Sequence, residues 1–236
     1  MSTLTRVPSE SAATSCDRAT RVTRSLLGYG VLAGPVYVAV ALAQAMIRPG
    51  FDLSRDDVSL LANGGLGWIQ VANFLVAGAM VIAFAVGLDR ALAGRRTGRW
   101  AARLLGAYGV GLVGAGIFVA DPMHGFPPGA AAGMPATLSV HGILHIVFAG
   151  LGFLCFVGAC LLLAREFARS GRSRGAITSA ITGIVLVVGF AGVASGSSSP
   201  AVVLAFWAAL LLAWGWMAAL AVQLYAGVSA ATGEPR

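Results

Sequence analysis

The sequence predicts an all-α, polytopic integral membrane protein: a bundle of six transmembrane helices with N- and C-termini in the cytoplasm. Three observations carry that prediction. The chain of 236 residues is 58% hydrophobic and only 11% charged, it contains six long apolar runs, and its arginines are placed lopsidedly. Soluble domains keep about a quarter of their residues charged. A helical span needs about 20 apolar residues, so six of them leave no room for a sizeable soluble domain.

Residues 1–24 are rich in Ser, Thr and Arg and lack hydrophobic periodicity, which reads as a short disordered cytoplasmic leader. The transmembrane domain then covers 25–226. Its first apolar run, 25–47, exceeds the roughly 7 to 15 residues of a signal peptide, so it predicts an uncleaved span. An outer loop follows over 48–67, with Asp52, Asp56 and Asp57 and a turn signal at Asn63-Gly64-Gly65. Asp56 and Asp57 read as solvated loop charges, and 56–61 as one short interfacial helical turn with Val58 and Leu61 turned toward lipid or protein.

Span two covers 68–88, opening on Trp68 at the depth that indoles prefer. Gln70 and Asn73, three apart on one helix face, must point into the bundle, because amides facing lipid leave their donors unsatisfied. Span three, 103–120, carries Ala107, Gly111 and Ala115 at spacing four, a row that lets a neighbouring helix approach closely. It ends at Asp121-Pro122, since the residue before proline disfavours helical geometry. Spans four, five and six cover 139–164, 176–194 and 201–225. The short link 195–200 makes the last two an antiparallel hairpin, Pro200 suits the first turn of span six, and 227–236 form a cytoplasmic tail.

All sixteen basic residues are arginines. Fourteen fall on one side of this topology: Arg6, Arg18, Arg21, Arg24, Arg90, Arg95, Arg96, Arg99, Arg103, Arg165, Arg169, Arg172, Arg174 and Arg236. Only Arg48 and Arg55 lie opposite. Excess arginine in short loops marks the cytoplasmic side, which puts the protein in the plasma membrane with both ends inside. The net charge of +7 is therefore topological, and the partner it implies is the lipid bilayer rather than nucleic acid. Cys16, Cys155 and Cys160 read as inert fillers, not a disulfide framework.

Polar chemistry concentrates between Asp121 and His145, a stretch that holds all three histidines, His124, His141 and His145. His141 and His145 are four apart at the start of span four, so both rings project from one face. Asp121 and His124 lie in the loop joining spans three and four. Three imidazoles and a carboxylate are a ligand set for tetrahedral zinc, or three ligands with the fourth residue as base. The competing reading is a hydrogen-bonded polar cap that pins the loop to the helix ends. Ser59 and Ser139 are the nearest hydroxyls, and no general base stands beside either in the sequence.

The segments G-P-V-Y-V, P-G-F-D-L-S-R-D-D-V-S-L-L-A-N-G-G-L-G-W-I-Q-V-A-N-F, G-I-F-V-A-D-P and H-G-I-L-H together resemble the bacterial membrane family catalogued as domain of unknown function 998. The resemblance runs from about Leu27 to Tyr225 and implies a six-span membrane protein with no established activity. It adds Asp56, Asp57, Ser59, Asn63, Gln70 and Asn73 as neighbours of the histidine cluster. A fainter likeness, in residue types alone, is to the alkaline ceramidase and adiponectin-receptor type membrane hydrolases. Those hold zinc on three histidines with an Asp and a Ser nearby, but they have seven spans and place the metal toward the cytoplasm.

Three functions follow. First is a membrane protein that binds a partner protein or small ligand through its outer His and Asp cluster. Second is a zinc-dependent hydrolase of a lipid-like ester or amide. Third is a proton-coupled transporter, which is disfavoured because no ionisable residue lies near mid-depth in any span.

Overall fold

The computed structural model describes the backbone of residues 10–231 and the side chains of 18–229. Its long elements are α1 (Glu10–Ile47), α2 (Gly67–Ala91), α3 (Arg96–Ile117), α4 (Val140–Arg169), α5 (Ser173–Ala194) and α6 (Pro200–Ala231), with a 3-10 turn over Val58–Ala62. All six helices are long and apolar enough to cross a membrane. The protein is an integral, multi-pass membrane protein.

With an even number of spans, the first and last described residues lie at one end of the bundle, here called the terminal end. The loops 48–66, 118–139 and 195–199 lie at the other, here called the distal end. Each helix packs on its neighbours in sequence, and α6 returns to pack on α1, so the six helices form a closed ring. Large apolar side chains such as Val110, Leu151, Leu154, Val188, Leu204 and Leu211 stand exposed on the outside of the ring, as a hydrocarbon solvent allows. Trp68 is likewise exposed, at the distal start of α2.

Helix α1 begins inside the stretch expected to be a disordered leader. Residues 10–24 continue the first span as helix, and residues 1–9 lie outside the described part. The reason is anchoring at the terminal end. Thr23 is buried and its hydroxyl accepts a hydrogen bond from Arg90 Nε at 3.1 Å, while the Arg24 guanidinium lies 4.7 Å from the centre of the Tyr225 ring.

Helix α3 packs tightly on both sides, and glycine carries the contact. A Cβ built on Gly111 would come within 2.8 Å of Gly152 Cα and Phe148 O on α4, and one on Gly78 within 2.7 Å of Gly109 O, where α2 meets α3. Ala107, the first member of the expected small-residue row, is instead exposed, while Leu104 and Tyr108 on either side of it carry the contact with α4.

The distal loops fold back onto the bundle rather than standing in solvent. Val58, Leu60 and Leu61 of the 3-10 turn are buried, and Phe126 of the second loop is fully buried beside Phe51 of the first, ring centres 5.2 Å apart.

Gly111→Val should lower stability by about 1–3 kcal/mol, because the added carbons meet backbone atoms of α4 that cannot turn aside. Gly106→Ala, whose new Cβ would meet only Ala85 Cβ at 3.7 Å, should leave the unfolding temperature in detergent unchanged.

Candidate functional site

The ring of helices is not filled to its axis at the distal end. A cavity of about 120 Å³ runs inward from the distal loops and is lined by residues of all six helices. Its inner walls are aromatic. Tyr37 of α1, Tyr108 of α3 and Trp214 of α6 meet there, with the Trp214 ring 5.3 Å from Tyr37 and 6.2 Å from Tyr108. Phe74 of α2 packs on Tyr37, Phe153 of α4 packs on Tyr108, and Phe206 of α6 meets Phe153 edge-on. The mouth is lined by Asp57, Ser59, Asp121, Met123, Met134 and Gly196.

Asp121 follows α3 and sits against the start of α4. One of its oxygens, Oδ2, accepts the backbone N–H of Ser139 at 2.8 Å, and Ser139 in turn caps α4 through its hydroxyl to the N–H of Gly142 at 3.0 Å. The carboxylate also complements the positive end of the helix dipole. A Cβ on Gly142 would lie 2.2 Å from that same oxygen, so a residue without a side chain is what lets the carboxylate approach.

His145, one turn further along α4, is buried and lines the cavity wall. Its Nδ1 lies 2.9 Å from the carbonyl of Ala115 and 2.8 Å from that of Phe118. Both partners are acceptors, so Nδ1 carries the proton and donates to them. Those carbonyls belong to the end of α3, where the helix has no donors of its own to offer. His141, although on the same face by spacing, is exposed, its ring centre 5.7 Å from that of Phe118 and steeply inclined to it. His124 is buried in the loop between α3 and α4, in the left-handed region at φ 56°, with its backbone N–H on Gly133 O.

These positions do not assemble the zinc set read from the sequence. Among the described residues, no group of three or more His, Cys, Asp or Glu side chains is placed to hold a metal ion. The four-residue spacing brings His141 and His145 to one face, but the end of α3 occupies the Nδ1 of the deeper ring and leaves the other at the surface.

Of the two loop aspartates, Asp56 is not a solvated charge and Asp57 is half-buried. Asp56 is fully buried, its Oδ2 accepting the N–H of Asp52 at 2.8 Å and its Oδ1 without a partner. Burial raises its pKa, while Asp52 N–H, Arg55 and His124 pull it back down. Asp57 Oδ1 is also buried without a partner; burial, with the negative charge of Asp56 added, pushes this carboxyl up to about 6. The fold-back of the loop explains both, since the turn that buries Leu60 and Leu61 draws its two preceding residues in with it.

Of the remaining expected neighbours, Asn63 is buried at the end of the 3-10 turn, and its carbonyl accepts from Arg48. Gln70 and Asn73 face inward as expected. Gln70 Oε1 accepts from Gln44 at 2.8 Å and from Asn73 at 3.2 Å, and Asn73 Nδ2 also reaches the carbonyl of Tyr37 at 3.0 Å. This tie between α1 and α2 is structural and lies outside the cavity lining. Asp57, Ser59, Asp121 and His145 of the expected set therefore share the cavity; Asp56, Asn63, Gln70, Asn73, His124 and His141 do not line it.

The aromatic walls and Arg48 escaped sequence reasoning. One signal was present: Tyr37, Tyr108 and Trp214 fall well inside their spans, whereas tyrosine and tryptophan otherwise favour the membrane interface.

His145→Ala should lower stability by roughly 1–3 kcal/mol, because two buried carbonyls lose their donor. His141→Ala should change it by less than about 0.5 kcal/mol, the usual range for an exposed position. Elemental analysis of the purified protein should find no stoichiometric zinc. About one zinc per chain, lost equally in both variants, would restore the hydrolase reading.

No curated protein and no solved structure matches the chain. The family model described as Protein of unknown function (DUF998) matches residues 31–223, which span the described ring from α1 to α6 and include every residue of the cavity. The six-helix architecture and this match over most of the sequence lead to one conclusion: the chain belongs to the DUF998 family of proteins of unknown function.

Proposed function

We propose that the protein binds a small organic ligand in the distal cavity, and that the distal end faces the outside of the plasma membrane. The observation that carries this reading is the cavity itself. Protein interiors are packed to crystal-like density, and a cavity of about 120 Å³ open toward the distal loops departs from that packing. A ring of helices with no use for the space would be expected to close it with larger side chains than Gly111, Ala115, Ala149 and Gly152.

Its composition also supports binding. Apolar and aromatic walls with a few polar groups at one end are the usual character of a small-molecule site. Catalysis has less support: Ser59 lies at the mouth, but no carboxylate or imidazole hydrogen-bonds to it among the described residues. The arginine asymmetry supports the orientation, since Arg90, Arg95, Arg96, Arg99, Arg165, Arg169, Arg172 and Arg174 all lie at the terminal end.

A benzene-sized neutral probe such as 2-phenylethanol should bind the full-length protein in nanodiscs. Ala149→Phe, which fills the cavity from α4, should abolish that binding while circular dichroism stays native. Binding that survives the substitution would place the ligand elsewhere. In a background with the native cysteines replaced, a cysteine at Ala132 should react with an impermeant maleimide added to intact cells, and one at Ala93 should react only after lysis. The reverse pattern would invert the orientation.

A further inference from the structure

We infer that the ligand is an organic cation: an amine on an apolar body about the size of one aromatic ring, its ammonium held at the mouth by Asp57 and Asp121. The inference rests on the cavity reading above and adds the ligand's charge.

The first argument is the charge of the lining. Two carboxylates, Asp57 and Asp121, line the cavity, and no arginine does. The chain has no lysine to supply a positive group. Of the two arginines in the distal loops, Arg48 is committed to the carbonyls of Leu61 and Asn63, and Arg55 is exposed. An anion entering this mouth would meet two carboxylates and no cation within the lining.

The second argument is the state of the Asp57 carboxylate. Asp57 Oδ1 is buried and has no hydrogen-bond partner, unlike Asp121, whose Oδ2 is engaged by Ser139. A buried acceptor without a donor is costly, and a charged acceptor more so. That oxygen is closed off from the mouth, so an ammonium against the part of Asp57 that lines the cavity would supply the opposite charge to the carboxylate rather than the missing donor.

The third argument is the character of the walls. Tyr37, Phe74, Tyr108, Phe153, Phe206 and Trp214 line the cavity, and aromatic faces attract cations through the negative lobes of their ring quadrupoles. The space of about 120 Å³ is comparable with an engineered apolar cavity of about 150 Å³ that accepts benzene, so one ring is the body that fits.

Titration follows from the same geometry. The titratable groups that share the mouth and walls with Asp57 are Asp56 of its own loop, Asp121 before α4, His145 of α4, and the phenols of Tyr37 and Tyr108. The Asp57 carboxyl, pushed up to about 6, is mostly ionised at pH 7.5 and mostly protonated at pH 5. A simple amine, with a pKa near 10, stays charged across this range. Its affinity should therefore rise as pH rises through about 6, the bound cation displacing the carboxyl proton.

The test uses full-length protein in nanodiscs of zwitterionic lipid, titrated calorimetrically against empty nanodiscs. The probes are 2-phenylethylamine, 2-phenylethanol and 3-phenylpropionate. At pH 7.5 the amine should bind at least about tenfold more tightly than the alcohol, and the carboxylate most weakly. Asp57→Asn should bring amine and alcohol to within about threefold of each other.

The wild-type preference should itself fall by about tenfold at pH 5, where only about a tenth of the Asp57 carboxyl is ionised, which serves if the variant does not fold. Equal binding of amine and alcohol at pH 7.5, tighter binding of the carboxylate, or a preference unchanged at pH 5 would overturn the cation assignment and leave the cavity reading standing. Binding of none of the three would overturn both.

Discussion

The guanidinium of Arg48 is the interaction on which the distal face depends. It is buried just beyond the end of α1 and donates from one nitrogen to Leu61 O at 3.0 Å and from another to Asn63 O. It also lies 5.2 Å from the centre of the Phe126 ring. Burial draws its pKa down from the ordinary value, yet arginine keeps its charge in proteins. No carboxylate is recorded against it among the described residues. Carbonyl dipoles and an aromatic face stabilise the buried cation instead, and the cation in turn satisfies carbonyls that the 3-10 turn leaves open. The turn can then hold Leu60 and Leu61 in the core and present Asp57 and Ser59 at the cavity mouth.

Below that face, helix geometry decides where space remains. Glycines at Gly78, Gly109, Gly111 and Gly152 draw α2, α3 and α4 together until backbones touch. Larger aromatic side chains meet across the middle of the ring, as Phe156 does with Tyr108 and with Trp216. The cavity lies between this aromatic layer and the folded loops. His145 and Asp121 border it as side effects of another task, which is joining the end of α3 to the start of α4 where neither helix can satisfy its own terminal groups. The same two side chains thus hold the wall in place and lend it polarity.

The six spans were legible because the bilayer imposes them: each span must be apolar over its crossing, whatever its partners. The inward direction of Gln70 and Asn73 was legible for a related reason, since an amide cannot face hydrocarbon. The histidine cluster was legible only in part. Spacing along α4 tells which residues share a face, but the fate of His145 depends on where α3 ends in space, and no pattern in the sequence records that. Asp56 and Asp57 were misread because charge in a loop ordinarily means water. The burial of Asp56 and the half-burial of Asp57 follow from a fold-back driven by Val58, Leu60 and Leu61 at a distance the sequence does not display.

A ring of six helices has six interfaces, and loops tether five of them. The seam between α1 and α6 has no loop of its own, so its partners are brought together through the other five interfaces. The seam carries Arg24 on the Tyr225 ring, Tyr37 against Trp214, and Gly34, where an added Cβ would lie 2.7 Å from Trp214 Cβ. Two of those residues, Tyr37 and Trp214, also line the cavity. The contacts that keep the ring closed and the walls of the cavity are therefore in part the same, so a guest in the cavity would rest directly on the seam between the first and last helices.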